Sequence, residues 1–187
     1  NEACDTDKIL RGLKLRKVWV NAIVDDAITV ATTGLANNAS VASTSTGNNA
    51  TDGTQAFNPS GATVTLPAET FAPGSQANYT TTVACTGATL SGSTPGSTFT
   101  MPDNDVTCTY TNTRKSVTLQ LRKTWINAKV GDAVTVTAAG IANSAGAALN
   151  AVADTANETD SGAVVTVYAG EAATLGEGTI TGSGATY

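Results

Sequence analysis

The chain repeats itself, and any fold it adopts must accommodate the same segment twice. Leu13 to Gly34 reads LKLRKVWVNAIVDDAITVATTG, and 106 residues later Leu119 to Gly140 reads LQLRKTWINAKVGDAVTVTAAG. Further on, VTL at Val64 to Leu66 is answered by VTV at Val165 to Val167, Glu69 by Glu171, and ANY at Ala77 to Tyr79 by ATY at Ala185 to Tyr187. The stretches between these matches differ in length, as exposed connections do. A unit of this size buries its own core, so each copy reads as a domain, not a solenoid turn. The first repeat spans 13–116. The second, 117–187, has nothing matching Thr80 to Arg114, and 1–12 reads as the tail of a preceding unit or a linker.

Apolar residues alternate with polar ones at Leu13, Leu15 and Trp19, at Ile28 and Val30, at Val64 and Leu66, at Tyr79 and Val83, and at Val106, Cys108 and Tyr110. Period two predicts half-buried strands. Clusters of Asn, Asp, Gly and Pro punctuate them, for example Asn58-Pro59-Ser60-Gly61 and Pro102-Asp103-Asn104-Asp105. The Ala-rich stretch from Ala142 to Thr159 contains too much Gly, Asn and Ser and too few large apolar residues for a helix, and predicts a long polar loop with short strands. The expected fold class is all-β, a tandem of immunoglobulin-like or prealbumin-like β-sandwich repeats with the second incomplete.

There is no histidine, and 10 Lys plus Arg stand against 15 Asp plus Glu. Serine and cysteine triads that use an imidazole base and histidine zinc sites are thereby excluded. The acidic balance does not suit a nucleic-acid surface. No apolar run is long enough to span a bilayer. We therefore expect no enzyme, no cofactor, no metal site, no nucleic-acid partner and no membrane span.

The inward faces are more informative. If Leu13, Leu15 and Trp19 face the core, so does Lys17, and Lys123 has the same place between Leu121 and Trp125. A buried ammonium is costly unless it is paired or made neutral. Cys85 and Cys108 each lie in a strand pattern on either side of a Gly, Ser and Thr rich connection, which predicts a disulfide and an oxidising compartment. Cys108 facing inward would place Tyr110 and Asn112 on the same face. Cys4 lacks an intrachain partner in this scheme, and is read as the last cysteine of a preceding unit or as an intermolecular bridge.

With LRKVWVN and LRKTWIN on the first strand, TCTYTNTR from Thr107 to Arg114 on the last, and the stretches around Pro67-Ala68-Glu69 and Phe71-Ala72-Pro73-Gly74, the chain resembles the collagen-adhesin B-type, or prealbumin-like, repeats of bacterial surface proteins. In that family a first-strand lysine often condenses with an asparagine of the last strand, assisted by a buried carboxylate. The resemblance implies Lys17 as the lysine and Asn112 as the asparagine. The family's usual glutamate, at the end of the strand after the tyrosine, has no counterpart in Tyr79 to Cys85, which leaves Glu69 as the substitute. The plainer alternative is that Lys17 snorkels to the rim or forms hydrogen bonds without reacting.

Of the remaining acids, Asp26 and Asp132 recur at one turn, where a carboxylate commonly accepts backbone hydrogen bonds. Asp103-Asn104-Asp105 has calcium-type ligands without the ordered spacing of a calcium loop. The functional expectation is a structural repeat of a bacterial extracellular fibre, pilus-like filament or adhesin stalk, with polymerisation by strand complementation as a variant. Its partners would be neighbouring copies or further repeats of the chain. The alternative is an adhesive module of the same fold that holds a host glycan or protein.

Overall fold

A computed structural model describes residues 9–182, and the chain divides into two compact units at the Arg114–Lys115 bond. Cys4 and the Ala185 to Tyr187 match lie outside the described residues. Both units are built of strands and short 3-10 turns, an all-β fold of several small mixed and antiparallel sheets. No helix among the described residues is long and apolar enough to cross a membrane.

The first unit contains β1 (Leu10–Val20), β2 (Ala27–Ala31), β3 (Ser40–Thr44), β4 (Asn49–Asp52), β5 (Ala56–Pro59), β6 (Thr63–Thr65), β7 (Thr70–Phe71), β8 (Tyr79–Thr86), β9 (Thr98–Thr100) and β10 (Val106–Arg114). β1 is the hub of its largest sheet. Along one edge it pairs antiparallel with β4 and then β5; along the other it runs parallel to β10, which pairs antiparallel with β8. The first and last strands of the unit are thus neighbours. β3, β2 and β7 form a second sheet, and β6 pairs with β9.

The alternation in β1 and β10 dictates which side chains reach the core. Leu13, Leu15, Lys17 and Trp19 on β1, and Val106, Cys108, Tyr110 and Asn112 on β10, are all buried, while the residues between them are partly or fully exposed. The apolar ones among them pack with Ile28, Val41, Val64, Leu66, Phe99 and Met101 into one cluster. Each such aliphatic side chain contributes about 1.5–3 kcal/mol on burial. Trp19, Phe71 and Tyr79 add an aromatic trio, with ring centroids 5.6 to 6.1 Å apart.

The second unit contains β11 (Ser116–Trp125), β12 (Ala133–Ala139), β13 (Ala148–Val152), β14 (Glu158–Tyr168) and β15 (Thr174–Glu177). β12 lies between β13 and β15 as β2 lies between β3 and β7, and β11 pairs antiparallel with β14 as β1 does with β4 and β5. The match of Val165 to Val167 with Val64 to Leu66 does not survive. Val165 and Val167 sit in β14 opposite Leu119 and Val117, whereas Val64 sits in β6 opposite Phe99. Two apolar residues on either side of a threonine identify a strand, not which strand it is.

Candidate functional site

Lys17 Nζ lies 2.8 Å from Glu69 Oε1, and both side chains are fully shut off from solvent. Each is brought there by a different element. Period two turns Lys17 inward, where its ammonium also sits 4.5 Å from the centre of the Trp19 ring. Glu69 comes from the segment joining β6 to β7. That segment is tied to the last strand by Tyr110, whose hydroxyl donates to the Pro67 carbonyl at 2.9 Å. Tyr110 stands directly opposite Lys17 in the parallel register. Two residues on, on the same face, comes Asn112, also fully buried.

Thr81 on β8 is cross-strand from Asn112, and its hydroxyl donates to Asn112 Oδ1 at 2.7 Å while accepting from Gln76 Nε2 at 2.8 Å. The Asn112 carboxamide is therefore held through its oxygen, with a donor placed where charge would build if a nucleophile attacked Cγ. Its nitrogen has no such partner. Lys17 Nζ, both Glu69 oxygens and Asn112 Nδ2 are buried without a hydrogen bond of acceptable geometry. The Lys17–Glu69 approach is close enough for an ion pair but off-line for a hydrogen bond.

Burial lowers the Lys17 pKa to about 8, against the opposing pull of the Glu69 charge. The Tyr110 phenol is pushed above its ordinary range by burial and, secondarily, by Glu69. An amine whose proton is loosened by burial, a carboxylate to take that proton and a carboxamide held through its oxygen are the groups needed to exchange one amide nitrogen for another.

The structure pairs the predicted Lys17 with Glu69 and places Asn112 on the same inward side, two residues beyond the Tyr110 that faces Lys17; it adds Thr81 and Gln76, which sequence reasoning did not assign to the site. The strand period could have found Thr81, since it shares the inward face of β8 with Tyr79 and Val83. Cys85 and Cys108 are directly opposed on β8 and β10 and form a disulfide. It staples the same strand that carries Asn112.

The pairing of Glu69 with Glu171 is corrected. Glu171 accepts from the Ala142 and Tyr168 amides and holds a loop. The counterpart of Glu69 is Glu177, whose Oε1 is 2.5 Å from Lys123 Nζ. The correct displacement here is 108 residues, the same as from Ala77–Tyr79 to Ala185–Tyr187. Gly74 and Gly182 obey it too. Both have positive φ, and a Cβ on either would lie within 3 Å of the repeated turn acid, Asp26 or Asp132.

That turn acid does more in the first unit than accept backbone amides. Tyr79 Oη donates to Asp26 Oδ2 at 2.5 Å and accepts from the Ile23 amide. Burial first, and then the bond to Asp26, raise the Tyr79 pKa to about 12. Asp103 accepts from Arg11 Nε and Asp105 from the Gly12 amide, so the acids of the Asp103-Asn104-Asp105 turn tie it to the start of β1. A shallow groove of about 420 Å³ runs along β2 and β3 and is lined by small or aliphatic residues such as Thr29, Ala31, Ser40 and Pro67. No protein-family model, curated protein or solved structure matches the chain.

Proposed function

We propose that the chain is a structural repeat of a bacterial extracellular fibre or adhesin stalk, made of prealbumin-like β-sandwich domains, with the first unit closed by a Lys17–Asn112 isopeptide bond. The observation that carries this reading is the buried set of four polar atoms without hydrogen bonds. Lys17 and Glu69 at least form an ion pair, but Asn112 Nδ2 has no hydrogen-bond partner, and an unmet buried donor costs about 1–3 kcal/mol. Condensation removes the donors at fault: Lys17 Nζ, passing its proton toward Glu69, bonds to Asn112 Cγ, the Cγ–Nδ2 bond breaks, and Nδ2 leaves as ammonia. One secondary amide then replaces an amine and a primary amide, with a single N–H left to face Glu69.

The placement suits a part that is pulled. β1 and β10 are parallel, so tension applied at the start of one and the end of the other shears all their hydrogen bonds together. A bond from Lys17 to Asn112 carries the load past residues 18–111. Intact mass after reduction should fall short of the sequence by one ammonia, with the loss mapped to a Lys17–Asn112 peptide. In single-molecule stretching, the first unit should then contribute only a few nanometres, against roughly 30 nm for an unlinked, reduced chain of this length. A mass that accounts for every amide would refute the cross-link.

A further inference from the structure

The carboxamide of Asn112 is held with its nitrogen unmet. Its oxygen accepts from Thr81, while Nδ2, buried with the rest of the side chain, has no acceptor. The reason lies one side chain further out. Gln76 Nε2 donates to Thr81 Oγ1 at 2.8 Å, and Thr81 Oγ1 donates to Asn112 Oδ1 at 2.7 Å. A hydroxyl has a single proton to give. With Gln76 supplying an N–H to that oxygen, the Thr81 proton is directed at the carboxamide, and the atom it meets there has to be an acceptor. Turned over, Asn112 would set a second N–H against the same hydroxyl and strand the Thr81 proton in a buried site.

Gln76 is exposed, yet its backbone is tied down. It opens the 3-10 turn Gln76–Asn78, whose start is capped by the Ser75 side chain and whose end is closed by the Tyr79 amide donating to the Gln76 carbonyl. Tyr79 is in turn anchored through its hydroxyl to Asp26. β8 follows without a break, and inward-facing Thr81 lies five residues beyond Gln76.

We propose that Gln76 is a positioning residue: by donating to Thr81 it fixes the orientation of the buried Asn112 carboxamide, oxygen toward Thr81 and nitrogen away from it. The chemical consequence rests on the cross-link reading given above; the orientation does not. With the oxygen held in this way, charge built on it by attack at Cγ meets a donor, and Nδ2 is left without a bond that would oppose its departure.

Donor and acceptor side chains at position 76 separate this role from a merely structural one. Glu is the closest replacement in shape, but its carboxylate only accepts. It takes the Thr81 proton, makes Thr81 Oγ1 an acceptor and turns the carboxamide over. Lys fits less well in shape, but it only donates. The first readout is the nuclear Overhauser effect between the Asn112 side-chain NH2 and Thr81, measured on the full chain carrying Lys17→Met with Glu69→Leu so that nothing reacts. It should be weak with Gln76 or Gln76→Lys and several-fold stronger with Gln76→Glu. The second readout is ammonia loss after refolding, followed by intact mass with Lys17 and Glu69 in place. Gln76→Glu should slow it by about a hundredfold, and Gln76→Lys should keep it close to the unsubstituted rate. In a Thr81→Val background the two variants should react alike, which separates the hydrogen-bond route from the direct effect of their charges on Lys17. An unchanged Overhauser pattern in Gln76→Glu overturns the proposal, and so does a difference between Glu and Lys that persists with Thr81→Val. A chain that never loses ammonia overturns the Lys17–Asn112 bond, while the Overhauser pattern still decides the orientation, so the two ideas fail separately.

Discussion

At the scale of single residues, the decisive quantity is the desolvation of Lys17. Removing one member of a buried ion pair leaves the other charged and unsolvated, so in an Asn112→Ala background, where the Lys17 amine stays free, Lys17→Met should destabilise the first unit by about 3–5 kcal/mol, while Lys17→Met with Glu69→Leu should recover most of the loss. Denaturant titration of the three proteins measures this. The titration of Lys17 gives a second test. Its folded pKa of about 8 lies below the unfolded value of about 10.4. Between the two, the unfolded chain binds more protons, so stability rises with pH. Above about pH 10 the raised Tyr79 reverses the trend, because the folded state then holds the extra proton. An Asn112→Ala variant, which keeps a free Lys17 amine, should therefore gain melting temperature from about pH 8 to 10 and lose it beyond. The cross-linked protein has an amide at Lys17 and should lack the rise.

At the scale of elements, strands and turns were legible where period two and turn chemistry agree. The inward faces of β1 and β10 followed directly from alternation, and so did the cross-strand disulfide. What alternation cannot convey is pairing between distant segments. Val64-Thr65-Leu66 and Val165-Thr166-Val167 have the same pattern but pair with different strands. The Glu69 to Glu171 match failed for a related reason. It was tied to that strand match, whereas the turn around Gly74 and Gly182 is held by a close packing contact with Asp26 and Asp132 that no periodicity encodes. This turn makes its own prediction. Gly74 has φ of +112°, and a Cβ there would come 2.7 Å from Asp26 Cγ. Gly74→Ala should cost about 1–3 kcal/mol in backbone strain alone, and more if Asp26 is displaced from Tyr79. Chemical denaturation, with Tyr79→Phe as reference, separates the two parts.

At the scale of the whole molecule, the two units share the arrangement of their first strand. Both begin with a strand whose lysine, tryptophan and leucines face inward, and both bring a glutamate to that lysine from the far side. In the first, a parallel last strand closes the edge and the polar cluster is sealed in. In the second, among the described residues, β11 pairs with β14 alone and the side chains of Lys123 and Glu177 are partly exposed. Burial of apolar area governs local opening, and exposed backbone groups exchange from the native state without global unfolding. Hydrogen exchange should therefore rank the two first strands apart. The amides of β1 that face β10 should exchange more slowly than the corresponding amides of β11 by on the order of a thousandfold, equivalent to about 4 kcal/mol of local stability. Equal protection of the two strands would mean that β11 is already covered.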